Sequence, residues 1–595
     1  MWKFRILADG EPERHPHESE FFKDMDVAAS LVREAIQNAL DARNVEGQSV
    51  CVRFIFGDHP IKSNDAYYED LIPHLTSCTP LPQFEHNDDK MAFLTIEDFG
   101  TKGLDGPVTR AEVTNEKGNY LNFWWSEGKS EKHGQSRGRW GLGKTIFHVA
   151  SGVRSFFGLT VRSDDQRKLL LGKSLLTAHK HTDGKQYNYF GYFTGEDGKP
   201  IEDNNFLTDF VTQFRITRTT ETGLSIVIPG LVEGIKPDGV IRSAIIHYFF
   251  PIITKMLTVE IWYNSKIVKL NSETIYDIAN EQNWQGSDWE NMAINPLMMF
   301  LLESSTKPAA EKICLKQPSR TLKIGEDSFE KTLEDARKLY SENKVLWIDV
   351  PIKILPAEGP EQMTHFEVFI QKDDSLREPD EFYIRSGITI SDIKMIGSRH
   401  VRALLSAHDG PISTFLGDSE SPAHTEWKER TEGFSKKYIN ARDTLRYVRS
   451  SMRELVKILE HLPPGLEPDF LQDIFFIPRN IETPPPPPPP PPAQPRVFDI
   501  RKISGGFSIT LADASAKLPL ISTMKLAYDT KRGNPFSRYN PLDFDLAERP
   551  IQKQLTGGNI TRCSGNSLEV EIMDSDFVAH VTGFDEKRDL VIVIK

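Results

Sequence analysis

The sequence predicts an α+β protein with two mixed blocks and a separate C-terminal β domain. Three observations predict this. Helix-period and strand-period apolar segments alternate from about residue 21 to 290; a second mixed block runs from about 310 to 480; and the unbroken proline run Pro484–Pro492 is followed by strand-like pieces alone. A chain of 595 residues with 38% hydrophobic content can bury several cores. The expected domains are 1–300, 301–483, a proline-rich linker at 484–495, and a β-sandwich-like domain at 496–595.

Taken in order, LVREAIQNALDAR carries helical periodicity, and the pattern predicts a helix over Val27–Ala42. CVRFIF (51–56) and AFLTIED (92–98) read as strands; Met91–Glu97 is a buried one, ending in Asp98-Phe-Gly100-Thr-Lys-Gly103. Gly138-Arg-Trp-Gly141-Leu-Gly143-Lys144-Thr145 then opens an apolar helix over Thr145–Ala150. LSIVIPG (224–230) is a strand, Val240–Ile253 a helix, and LTVEIWYN and KIVKL pair across an Asn264-Ser265 turn. In the second block KVLWIDVPIKIL, HFEVFIQ and EFYIRSGITI are strands, and Leu445, Val448, Met452, Leu455, Val456 and Leu459 mark the apolar face of a long helix. The proline run predicts a polyproline II rod of roughly 28 Å, at ~3.1 Å per residue, acting as a spacer and not an SH3-type ligand. Beyond it, FSITLA, SLEVEI and LVIVIK alternate with Gly, Asn and Asp turns. No fixed-period repeat is visible, which argues against a solenoid.

A formal net charge of −13 argues against a protein coated with nucleic-acid-binding charge, though a local basic strip remains compatible with it. Cys51, Cys78, Cys314 and Cys563 form no CxxC pair, so neither a zinc site nor a disulfide framework is expected. With no apolar N-terminal segment and no run near the ~20 residues that span a bilayer, the expected location is the cytoplasm.

Glu34, Asn38 and Asp41 stand at i, i+4 and i+7, one face of the first helix, where core residues would ordinarily sit. A carboxylate there can orient and deprotonate a water, and an amide oxygen is a hard ligand suited to Mg²⁺. At the strand end, Asp98 can accept a hydrogen bond from an exocyclic amine, while Gly100 and Gly103 let backbone pass close to a base. The glycines 138, 141 and 143, before a helix, present N–H groups to phosphate. The first two features have bland alternatives, a solvated helix face and a strand turn punctuated by Asp and Gly; for the glycine cluster the bland alternative is weak. The last also spells a P-loop, Gly138-x-x-x-x-Gly143-Lys144-Thr145, but a P-loop needs a buried strand immediately before it and SEGKSEKHGQSR (126–137) contains no apolar residue.

In this order the three motifs resemble the N, G1 and G2 boxes of the GHKL superfamily of gyrase, ATP-dependent chaperones, histidine kinases and MutL. The resemblance implies a Bergerat-type ATP-binding α/β sandwich and an ATP hydrolase. Glu34 would activate the attacking water, Asn38 ligate Mg²⁺, and Asp98 read the adenine, with Asp41, Gly100, Gly103, Gly138, Gly141, Gly143, Lys144 and Thr145 lining the nucleotide site and 104–137 forming a lid. Gly223-Leu-Ser-Ile departs from the family's Gly-Thr-x-Ile, with Leu224 in place of the threonine and Ser225 or Thr222 as substitutes. With about 30 residues before the first box there is no room for phosphoacceptor helices. The layout therefore looks like the hydrolytic branch of gyrase, MutL and MORC proteins, with a transducer domain resembling ribosomal protein S five. Arg385, Lys394 and Arg399 are then candidates for reaching the γ-phosphate. The branch further implies a homodimeric clamp, and prokaryotic relatives associated with restriction or antiphage defence suggest defence-system partners.

One feature points to nucleic acid independently. Arg442, Arg446, Arg449, Arg453 and Lys457 form a basic stripe on the long helix, partly offset by Asp443, Glu454 and Glu460. The competing destination for ATP energy is a chaperone-like or regulatory, nucleotide-switched protein-binding module.

Overall fold

The computed structural model describes residues 1–8, 26–45, 48–60, 66–78, 90–109, 112–113, 118–125, 144–318, 322–398, 400–420, 425–429, 433–460, 498–503, 505–512, 518–528, 536, 539–540, 543–548, 550–585, 588 and 590–594. The chain divides into two compact units, 1–474 and 475–595. The proline run lies outside the described residues.

The first unit opens with a mixed sheet of β1 (Trp2–Ile6), β2 (Val50–Pro60), β3 (Lys90–Phe99), β4 (Ser155–Val161), β5 (Lys168–Leu175), β6 (His179–Lys180), β7 (Gln186–Phe193), β8 (Gly223–Pro229), β9 (Leu257–Tyr263) and β10 (Lys266–Leu270). The order is β1-β7-β5-β4-β8-β3-β2-β9-β10, with β6 beside β7. Among the described strands only β2 and β9 run parallel here. The β9–β10 hairpin turns at Asn264 and Ser265, both at positive φ (47° and 61°), as the short Asn-Ser connection predicts.

Strand alternation assigns the faces of this sheet. Leu94 and Ile96 of β3 join Leu224, Ile226 and Ile228 of β8 in the core beneath α1 (Val27–Asp41), while Phe93 and Val227 point into a second core. The second core is closed by α2 (Leu71–Thr76) and by Leu207 and Phe210 of α5 (Asn204–Gln213), elements that lie before and after α3 (Gly118–Trp125) and α4 (Thr145–Val149) in chain order. Helix α1 begins at Asp26, whose carboxylate accepts the Ala28 and Ala29 N–H groups (2.8 and 3.1 Å). It packs against α4 and α6 (Pro237–Ile253), and the Tyr248 hydroxyl donates to the Arg33 carbonyl at 2.6 Å.

After α7 (Ile275–Glu281) and α8 (Ile294–Thr306), a six-stranded sheet is built from β11 (Lys312–Cys314), β12 (Leu346–Ile354), β13 (Gln362–Lys372), β14 (Asp380–Arg385), β15 (Ile388–Ile390) and β16 (Val401–Ala407), in the order β11-β12-β13-β16-β14-β15. Helices α9 (Leu333–Ser341), α10 (Gly410–Ser419), α11 (Phe434–Lys437) and α12 (Ala441–Leu459) accompany it. Its core is continuous with the core under α1; Phe382 packs at 5.6 Å from Phe249 and 6.2 Å from Trp289. In the second unit two four-stranded antiparallel sheets, β17 (Phe498–Ile503), β18 (Gly506–Leu511), β23 (Val578–Thr582) and β20 (Gln552–Thr556), and β21 (Gly558–Ser564), β22 (Ser567–Ile572), β19 (Leu520–Tyr528) and β24 (Leu590–Ile594), share one core through Phe507, Ile509, Leu526 and Val570. The mixed α+β class is what the periodicities predict.

Candidate active site

Helix α1 is buried along most of its circumference, with Leu31, Val32, Ile36 and Ala39 almost inaccessible, whereas Glu34, Asn38 and Asp41 are each half-buried. The Asn38 Nδ2 group donates to Glu34 Oε1 at 2.8 Å, the i,i+4 contact the helical spacing requires. That bond uses the amide's donor end. Asn38 Oδ1 and Glu34 Oε2 take no hydrogen bond from the described residues, so one hard oxygen ligand and one carboxylate oxygen stand beside each other on an otherwise packed helix.

Asp98 follows Leu94 and Ile96 in the alternation of β3 and so belongs to the sheet face that α1 covers. The loop after β3 is tied to the end of that helix: Lys102 N–H donates to the Ala42 carbonyl and Asn44 N–H to the Gly100 carbonyl, both at 2.9 Å, and Arg43 bridges Thr101. Gly100 and Gly103 both take left-handed conformations (φ 79° and 70°). A Cβ at Gly103 would lie 2.5 Å from the Val161 carbonyl, so only glycine fits where this loop crosses β4.

The Asp98 carboxylate is held through one oxygen. Its Oδ1 accepts the Leu224 N–H (2.7 Å) and the Thr101 hydroxyl (2.5 Å), while Oδ2 has no partner among the described residues. The side chain is 14% exposed, and the Arg218 guanidinium lies 3.6 Å from Oδ1. Burial pushes the Asp98 carboxyl up; Arg218 and the two hydrogen bonds oppose that. The arrangement fixes the carboxylate through Oδ1, on a residue whose register places it on the sheet face that α1 covers.

The chain matches no known family model and no curated relative. Among solved structures it is similar to the ATPase region of Saccharomyces cerevisiae topoisomerase II, at 10% identity over 77% of this chain and 92% of that one, with a TM-score of 0.29. A TM-score of that size establishes neither a shared fold nor a shared activity.

Other expected site residues have different placements. Gly138, Gly141 and Gly143, with Arg399, lie outside the described residues. Thr145 is buried at the start of α4, and the Lys144 ammonium donates to the Asn122 and Phe123 carbonyls, both at 2.7 Å, closing the end of α3. The expected lid therefore contains an anchored helix: Tyr120 and Trp124 of α3 are buried, with Trp124 stacked on Phe156 at 5.6 Å. Leu224 contributes its backbone N–H and not a hydroxyl. Neither of its expected substitutes reaches Asp98, since Thr222 donates to the Thr101 carbonyl (2.6 Å) and Ser225 to Glu97 Oε1 (3.0 Å). The hydroxyl on Asp98 is that of Thr101, from within the glycine loop.

Arg385 is sealed in the six-stranded sheet against Glu420, each side chain only 1% exposed, and Lys394 donates to the Glu381 carbonyl at 3.2 Å. On α12, Arg446 pairs with Glu429 (3.4 Å) and Asp443 (3.8 Å), while Arg453 and Lys457 share Glu454 (3.0 and 3.7 Å). Asp349, His365 and Glu367 could together ligate a cation, but the Lys312 ammonium lies 3.6 Å from both carboxylates and already supplies positive charge there. Sequence reasoning missed Arg218 and Glu97. Glu97 was detectable, because a second carboxylate beside Asp98 in a buried strand must point to the opposite face and find its own donors.

Proposed function

We propose that this chain is a Mg²⁺-dependent ATPase of the GHKL type, with Glu34 as general base, Asn38 as metal ligand, and Asp98 as acceptor for the adenine amine. The observation that carries the reading is that β-strand register puts Asp98 on the sheet face covered by α1, the helix that bears the hydrogen-bonded Glu34–Asn38 pair, with the glycine loop tied to the end of that helix. The donor set fits a hard cation: Asn38 uses its N–H on Glu34 and keeps its oxygen, and Mg²⁺ commonly takes one or two protein oxygens and completes its shell with water and phosphate. When bound, the ion neutralises charge on the phosphate oxygens. Glu34 Oε1 is fixed by Asn38, leaving Oε2 to take the proton of the attacking water as the terminal P–O bond to ADP breaks. Asp41 and Thr145 are proposed as further lining residues.

We extend the proposal to a homodimeric clamp closed by ATP, in a DNA-transacting or defence complex. The ion-paired state of Arg446, Arg453 and Lys457 favours the alternative destination, a nucleotide-switched protein-binding module, because charges already balanced by Glu429, Asp443 and Glu454 release few counterions on DNA. The test is ATP turnover of the full chain with Mg²⁺, with and without duplex DNA, for wild type and Glu34→Ala. Wild type should hydrolyse ATP, and Glu34→Ala should bind ATP and lose turnover by at least ~10²-fold. Retained turnover in the variant removes Glu34 as the base, and stimulation by DNA restores the nucleic-acid reading.

A further inference from the structure

Arg218 makes a set of contacts that neither the motifs nor the proposed mechanism requires. Its Nε–H donates to Ser225 Oγ (3.1 Å), Nη1 to the Glu221 and Thr222 carbonyls (3.0 and 2.8 Å), and Nη2 to the Leu224 carbonyl (3.1 Å) and the Asp98 carbonyl. Its five N–H donors thus meet five uncharged acceptors, and no carboxylate takes a direct hydrogen bond from the guanidinium. The neighbouring Glu97 carboxylate is satisfied separately, by the Thr217 N–H (2.9 Å), Thr217 hydroxyl (2.5 Å), Arg218 N–H (3.1 Å) and Ser225 hydroxyl (3.0 Å). The side chain is 1% exposed, and its charge sits 3.6 Å from Asp98 Oδ1.

From this geometry we infer that Arg218 is the positioning residue of the base pocket: it clamps the 221–224 turn onto the end of β3 and keeps Asp98 an anion whose Oδ2 faces the ligand. The inference rests on the reading of Asp98 as the base acceptor. Three features support it. The turn that Arg218 holds through three carbonyls is the one that delivers the Leu224 N–H to Asp98 Oδ1 at 2.7 Å. Gly223, at φ 142°, passes so close that a Cβ there would lie 2.5 Å from Arg218 Nη1, from the Asp98 carbonyl and from Asp98 Oδ1, so the three groups are packed without slack. In such a dry site a carboxylate stays ionised only with a nearby positive charge, and burial does push Asp98 upward while Arg218 pulls it down.

The other charged groups around Asp98 do not replace Arg218. Glu97 on its own strand and Glu221 in the turn are carboxyl groups and bring no positive charge. Arg53 of β2 lies over the Phe99 ring at 4.9 Å and is paired with Glu260 of β9 (2.9 Å). Asp41 and Arg43 stand at the α1 end, beside the loop that carries Thr101. Of these groups, Arg218 is the cation that contacts Asp98.

The test is ATP affinity of the full chain from pH 5.5 to 8.5 for wild type, Asp98→Ala, Arg218→Met, Arg218→Gln and Arg218→Lys. Each result is taken as the ratio of variant to wild-type Kd at the same pH, so titration of ATP itself cancels. For Met and Gln the ratio should rise at least tenfold as pH falls from 8.5 to 5.5, because without the guanidinium Asp98 takes up a proton in that window. For Lys, which restores the charge but not the fork, the ratio should be raised yet flat. A ratio independent of pH in whichever of the Met and Gln variants folds overturns the inference while leaving the nucleotide reading intact. An unchanged affinity in Asp98→Ala, or no ATP binding by wild type, overturns the base-pocket reading and this inference with it.

Discussion

Asp98→Asn changes one atom of the carboxylate and nearly preserves what the fold asks of it. The Leu224 N–H at 2.7 Å and the Thr101 hydroxyl at 2.5 Å both require an acceptor at Oδ1, so the amide keeps its oxygen there and turns its NH₂ to the position of Oδ2. That position then offers a donor where the ligand's amine also offers one. The loss is one charge-assisted hydrogen bond, ~1.5–3 kcal/mol. At about 1.4 kcal/mol per tenfold this weakens ATP binding by roughly 10- to 100-fold. Titration calorimetry of the full chain with ATP and with adenosine should show the same factor for both, since the change lies at the base and not at the phosphates. A thermal melt should fall modestly, because Arg218 loses its nearby anion. A folded variant with unchanged affinity, or one that loses ATP but not adenosine, would refute the role given to Asp98.

Arg385→Ala is expected to cost ~3–5 kcal/mol of stability in denaturant titration, because it leaves Glu420 buried without its cation; a stable variant that instead loses only its response to ATP would return Arg385 to the γ-phosphate. Acid should destabilise the chain from pH 6.5 downward. Burial holds His148 down to about 3 and His74 to about 4, and His247 is also lowered by burial and by Arg33, so below the ordinary histidine value the unfolded chain takes up protons that the folded one refuses. For the buried His148 the slope is about 1.4 kcal/mol per pH unit between about 3 and 6.5. Denaturant midpoints from pH 7 to 4.5 should therefore slope less in His148→Gln than in wild type, and equal slopes would exclude His148 as a buried neutral group.

Helix α1 was legible because its information is local. Apolar positions at helical spacing and three polar exceptions on one face all lie within fifteen residues, Val27–Asp41. The same holds for β3, whose alternation carries Asp98 to its end, and for the Asn264-Ser265 hairpin. Local pattern was less informative about β1, which pairs Trp2 with Phe193, and about the expected lid, where α3 is held by buried aromatics and by Lys144.

Charges divide in the same way. Spacing along one helix is a property of the chain, so the stripe Arg442–Lys457 and the pair Glu34–Asn38 were both visible before folding. Whether a charge is available is a property of its neighbours, and those come from elsewhere: Glu429 for Arg446, Glu420 for Arg385, the 122–123 carbonyls for Lys144. Arg218 is the clearest case. Nothing in its sequence neighbourhood marks it, yet folding brings it to Asp98 from 120 positions away, where burial makes one positive charge decide the state of a carboxylate. Periodicity and residue chemistry named the groups that face a ligand, whereas desolvation and long-range pairing set which of them are held, which are neutralised and which keep an open oxygen.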